Sequence, residues 1–100
     1  METFGEYIRQ LRVNAGLPIR KIAAQLDIDS SLLGRIERDE RQPNKEMIAG
    51  IARIFNQDEA DLLQRFLSDQ IAYKILDENA DIAVLKVAEQ KVEYLKSKKV

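Results

Sequence analysis

The sequence predicts an all-α protein of six helices, five in an N-terminal body and a sixth appended at the C-terminal end. Three observations carry this. Apolar residues recur at three-to-four spacing from Phe4 onward, no segment shows the apolar-polar alternation of a half-buried strand, and capping residues punctuate the periodic stretches.

Phe4, Ile8, Leu11 and Ala15 line one side of a first helix, which Gly16 ends. Pro18 suits the first turn of a second helix, whose inner side is Ile22, Ala23 and Leu26. Asp27 and Ile28 form a short turn. Asp29 is then placed to cap a third helix running to about Arg38, its carboxylate accepting from free backbone N–H groups. A loop from Asp39 to Asn44 contains Pro43. The fourth helix, about Lys45 to Phe55, carries Ile48, Ile51, Ala52 and Phe55, and Asn56 closes it as a left-handed cap would. Asp58 to about Leu76 forms a fifth, with Leu62, Leu63, Phe66, Leu67, Ile71 and Ile75. Residues 77 to 81, "DENAD", make a hinge before a sixth helix, Asp81 to about Lys98, whose seam is Leu85, Ala88, Val92 and Leu95.

A chain of 100 residues has room for one small core and an oligomerisation element. Its 45% hydrophobic and 33% charged content is that of a soluble globular protein, because a disordered chain would be poorer in Ile, Leu and Val. No apolar run approaches the roughly 18 residues of a membrane span, and METFGEYIRQ is acidic where a signal peptide would be basic. A cytoplasmic location with no membrane association is expected. With no Cys and no His, thiol chemistry, disulfides, the usual zinc sites and imidazole catalysis are excluded together. There is no Gly-rich phosphate loop and no acidic cluster at metal-ligand spacing, so no cofactor and no enzymatic activity are expected. Carboxylate pairs such as Asp58 and Glu59, or Asp77 and Glu78, read as helix-end charges. The net charge of −1 argues against a basic coat over the whole surface. Residues 1–56 hold nine Lys/Arg against eight Asp/Glu, so any nucleic-acid reading rests on local arrangement.

That arrangement is found at residues 26 to 43, "LDIDSSLLGRIERDERQP". Two short helices joined by a turn of about three residues must cross steeply, which is helix-turn-helix geometry. Ala23 permits close approach, Ile28 plugs the angle, and Leu33 and Ile36 dock the third helix on the core. Ser30, Ser31, Gly34 and Arg35 are then expected to face outward near the helix end that enters a major groove in such motifs. Short side chains let a backbone approach DNA, and the Arg35 guanidinium reaches paired guanine acceptors.

Residues Phe4 to about Leu63 resemble the XRE family of Cro- and phage-repressor-like DNA-binding domains, whose usual line reads "LRxxxGLSQxxLAxxLGVSxxxISRIERGxRxP"; this chain has "LRVNAGLPIRKIAAQLDIDSSLLGRIERDERQP". The combination of "GLPIRKIAAQLDID", "FNQDEADLL" and "FLSDQIAYKILDE" is similar to a subset of small regulators encoded beside restriction-modification DNA methyltransferases. The resemblance implies a five-helix repressor-like helix-turn-helix domain at 1–63, with residues 64–100 as a C-terminal helical extension for dimerisation. It also implies double-stranded DNA as partner, an inverted repeat read by a homodimer. A single reader helix contacts only a few base pairs, so useful affinity needs two copies.

Three departures from the family line bear on this. Ile19 stands where the family has a phosphate-bonding glutamine, Asp27 replaces the turn glycine, and Asp39 replaces the glycine after the third helix. Asp39 and Glu40 also set negative charge near the expected phosphate path.

The candidate site residues each carry two readings. Arg12 and Glu37 occupy positions that pair in this family, tying the first helix to the third, with DNA contact as the lesser alternative. Arg35 contacts a base or phosphate, or lies on a solvated face. Arg38, Arg41 and Lys45 around the loop, and Arg20 and Lys21 at the start of the second helix, bind phosphates or only solubilise. Ser30 and Ser31 read bases or merely open a helix. Leu32, expected to be exposed, touches a thymine methyl or packs on a neighbour. The seam Leu85, Ala88, Val92 and Leu95 is a dimer contact or ordinary packing against the fifth helix. An antitoxin or accessory module, binding a protein partner through the C-terminal helices with weak or autoregulatory DNA binding, is the alternative function.

Overall fold

The computed structural model describes residues 1–98, and those residues form helices and turns without a strand. The helices are α1 (Phe4–Asn14), α2 (Ile19–Leu26), α3 (Ser30–Glu37), α4 (Lys45–Ile54), α5 (Glu59–Asp77) and α6 (Val84–Ser97). The chain divides into two compact units, Met1–Asp69 and a second from Gln70 onward, with α5 contributing to both.

In the first unit, α1 starts at a capping box: Thr3 Oγ1 accepts from the Glu6 N–H at 3.2 Å, and the Thr3 N–H donates to Glu6 Oε1 at 2.8 Å. Those bonds leave the next N–H groups free, and tertiary carboxylates take them. Gly5 N–H donates to Asp39 Oδ1 at 3.0 Å and Phe4 N–H to Asp69 Oδ2 at 2.7 Å. Pro18 sits one place before α2 rather than inside it. Asp29 has the extended backbone of an N-cap, but its side chain makes no capping bond, contrary to the sequence reading. The carboxylate is exposed, where hydration competes closely with a hydrogen bond of small net worth. Asn44 does cap α4, accepting from Met47 N–H at 2.8 Å.

The core consists of two clusters. One gathers Phe4, Ile8, Ile36, Ile48, Ile51, Ala52 and Leu62; the other holds Ile22, Ala23 and Leu33, with Leu26 and Phe55 packed against both. Helix α3 therefore enters the protein by two adjacent turns, Leu33 into one cluster and Ile36 into the other. Ala15, expected on the inner side of α1, is exposed because it is the residue on which the helix ends. Gly5 is required where α1 meets the end of α3. A Cβ there would lie 2.5 Å from the Ile36 carbonyl oxygen and 2.6 Å from that of Glu37.

In the second unit, α5 ends at Asp77, Asn79 turns the chain with φ 51°, and Asp81 accepts from the Ala83 N–H at 2.8 Å before α6 begins. Every residue from Asp81 to Lys98 is exposed, including the seam residues Leu85, Ala88, Val92 and Leu95. Among the described residues no helix is long and apolar enough to cross a membrane.

Candidate nucleic-acid interface

The turn between α2 and α3 consists of Asp27, Ile28 and Asp29. Asp27 takes left-handed angles (φ 57°, ψ 46°), so the Ile28 N–H folds back to the Ala23 carbonyl at 3.0 Å. Ile28 is thereby turned inward and packs, half-buried, against the Ile22–Ala23–Leu33 cluster. Burying these side chains fixes α3 with its opposite side in solvent.

On that side Ser30, Ser31 and Arg35 are exposed. Two residues assigned to it by sequence lie elsewhere. Gly34 is buried: its missing Cβ would meet Arg38 Nη1 at 3.2 Å and Ile19 Cδ1 at 3.6 Å, so it is roofed by its own helix and by α2. Leu32 is half-buried and packs against the larger core cluster, as an apolar residue next to a core edge does when contact removes it from water. Ile19, at the position of the family's glutamine, makes an apolar contact between α2 and α3.

The remaining cations occupy the surrounding surface. Arg20 and Lys21 are exposed in the first turn of α2, Lys45 is the exposed first residue of α4, and Arg41 is exposed in the loop between α3 and α4. Arg38 differs from them: its Nε donates to Glu40 Oε2 at 2.9 Å. That hydrogen bond raises the Arg38 pKa and lowers the Glu40 carboxyl below its usual range, and the charge of Arg35 acts on Glu40 in the same direction more weakly. Asp39 does not stand bare beside a phosphate path. Its φ is 61°, and its carboxylate accepts from Thr3 Oγ1 at 2.6 Å as well as from the Gly5 N–H.

Behind the face, Arg12 grips Glu37 with two donors, Nε at 2.7 Å and Nη2 at 3.0 Å, and its Nη1 donates to the Leu17 carbonyl at 3.0 Å. Glu37 is the buried charged residue of the core, and the bidentate bond raises the Arg12 pKa. One guanidinium thus ties α1, the α1–α2 loop and the end of α3 together. Neither the Glu40–Arg38 pair, beyond the closeness of two opposite charges, nor the Thr3–Asp39 bond is legible in the residue pattern.

Two short helices around a left-handed turn, the second docked by two core side chains and exposing small and cationic residues, define a helix-turn-helix DNA-binding domain. The chain belongs to the helix-turn-helix domain family, which matches residues 3–64. Its fold is similar to that of the clp gene regulator ClgR from Corynebacterium glutamicum, at 20% identity and a TM-score of 0.57 over 88% of each chain. It is also similar to a chain of the SinR protein/SinI protein complex, at 16% identity and a TM-score of 0.56, covering 95% of this chain and 99% of that one. No curated protein matches the sequence.

Proposed function

We propose that this protein is a sequence-specific DNA-binding transcription regulator of the XRE type that acts as a cytoplasmic homodimer on an inverted repeat in double-stranded DNA. The observation that carries the reading is the outward side of α3, where Ser30, Ser31 and Arg35 are exposed on a helix locked from behind by Leu33, Ile36 and the Arg12–Glu37 pair. Arg35 reads a base edge. Arg20, Lys21, Arg38, Arg41 and Lys45 supply phosphate contacts, and residues 64–100 join two copies through the exposed seam of α6. The target is a restriction-modification or other local operon, the setting implied by the resemblance of the sequence to regulators encoded beside methyltransferases. No catalytic residue, cofactor or metal belongs to this reading.

Selection of bound sequences from random duplex tests it. An inverted repeat with half-site centres about 34 Å apart is expected, and recovery of no enriched sequence would reject the reading. Arg35→Ala should weaken specific binding by roughly 1 to 3 kcal/mol and relax one base position. Arg41→Ala should weaken all sequences alike and flatten the salt slope by about one unit. Titrations in which the two variants behave identically would contradict this division of labour.

A second reading is favoured by the exposed apolar residues Leu85, Val92 and Leu95 together with the likeness to a chain found in complex with another protein. It makes the chain an antitoxin or accessory module whose C-terminal helices bind a protein partner. A chain that stays monomeric at micromolar concentration, free and on DNA, would support this second reading over the first.

A further inference from the structure

The acid beside the reader helix suggests a control on affinity. We infer that Glu40 is an internal counterion of the DNA-facing surface, holding Arg38 so that it meets a duplex already neutralised and thereby attenuating binding to all DNA sequences. This rests on the DNA-binding reading above.

The end of α3 builds the pair. Asp39 at φ 61° lets the Glu40 N–H return to the Arg35 carbonyl at 2.8 Å, which sets residue 40 beside the last turn of the reader helix. Gly34 leaves the room Arg38 uses: the guanidinium lies back over α3, with Nη1 3.2 Å from the site a Cβ would occupy. The Nε–Oε2 bond of 2.9 Å then closes between side chains 59% and 54% exposed. Of the proposed cations Arg20, Lys21, Arg35, Arg38, Arg41 and Lys45, Arg38 is the one engaged in an ion pair among the described residues.

DNA affinity of this kind grows with the number of phosphates neutralised, because each releases condensed counterions. Arg38 with Glu40 carries no net charge, so it contributes little release. Such an exposed pair is weak, and phosphate can displace the carboxylate, but the displaced Glu40 then faces the strand it opposes. Asp39 is not an equivalent brake, since its carboxylate is held by Thr3 and Gly5. A regulator confronts a large excess of non-specific sites. An attenuator that acts on phosphate contacts keeps more of it free to find its operator.

The test is equilibrium binding of a duplex of unselected sequence, followed by anisotropy across a salt series, with the full chain, Glu40→Gln, Glu40→Ala, Arg38→Ala and the double variant Arg38→Ala/Glu40→Gln. Both Glu40 variants should tighten binding about 3- to 10-fold for each copy on the duplex, and steepen the log–log salt slope by about 0.9 per copy. The steepening should vanish in the Arg38→Ala background. If it persists there, or if neither Glu40 variant changes affinity or slope while the unaltered chain binds, the inference is overturned and the DNA-binding reading stands. If no variant binds any duplex, both fall; if Glu40→Gln binds where the unaltered chain does not, the inference holds.

Discussion

Single residues in this fold take effect through backbone angle and burial, and pairs of similar residues separate on those grounds. Asp27 and Asp39 are both left-handed, at φ 57° and 61°. An Asp tolerates that conformation at a penalty of roughly 1 kcal/mol that glycine avoids. Only Asp39 makes tertiary bonds through its carboxylate among those described, to Thr3 and Gly5. Asp27→Gly should therefore stabilise the protein by roughly 0.5 to 1 kcal/mol, whereas Asp39→Gly should destabilise it by about 1 kcal/mol or more. Urea denaturation measures both, and equal signs would refute the distinction. Glycines divide in the same way. At Gly5 an added methyl meets two carbonyl oxygens that belong to the end of α3 and cannot yield; at Gly50 it meets Leu26 Cδ2 at 2.6 Å, the end of a side chain that can rotate. Gly5→Ala should cost about 3 kcal/mol and Gly50→Ala about 1 kcal/mol. Glu37→Ala removes the partner of a guanidinium whose side chain is only 15% exposed, so a loss of about 3 kcal/mol is expected in thermal unfolding with base preference unchanged.

At the scale of elements, one device recurs. Helices α1 to α5 each end with a left-handed residue whose own N–H and the next one return to the final turn: Gly16, Asp27, Asp39, Asn56 and Asn79. Four of the five are Asp or Asn, the L-residues that reach these angles most readily. This made the helices legible from sequence, since apolar three-to-four spacing marks each body, Gly16 and Asn56 mark the ends of α1 and α4, and Asp27, Asp39 and Asn79 fall in the segments read as turn, loop and hinge. Observed limits fall within a few residues of those read from the pattern, the largest shift being the start of α6 at Val84. Leu33, Ile36 and Ile22 were legible as core for the same reason. Gly34 and Leu32 were not, because what covers them is a side chain folding back from Arg38, an approach from Ile19, and the edge of the core, none of which spacing reports. Nor was the completion of the α1 cap, whose acceptors Asp39 and Asp69 lie 34 and 65 residues from the N–H groups they serve. Thr3→Ala removes both the Glu6 bond and the Asp39 bond, so it should cost about 1 to 2 kcal/mol and unfold more readily than a surface Thr→Ala control in calorimetry.

For the whole molecule, the distribution of apolar burial assigns stability to the first unit. Every buried core side chain lies between Phe4 and Leu62, and the half-buried supports end at Phe66. Phe66 meets Phe4 edge to face at 5.5 Å, and Asp69 caps the same residue's N–H. A fragment of residues 1–69 should accordingly fold with a cooperative transition, while one ending at residue 63 loses the aromatic pair and the cap and should be less stable by about 2 kcal/mol. Under the proposed dimer, the 1–69 fragment retains the reader helix but no means of linking two copies. Its base preference in random-duplex selection should match that of the full chain at the half-site. Its affinity for the inverted repeat should fall by about 10²- to 10⁴-fold, because the second half-site is no longer bound at high effective concentration. Binding of the fragment to the repeat as tightly as the full chain would show that the exposed apolar residues of α6 have another purpose.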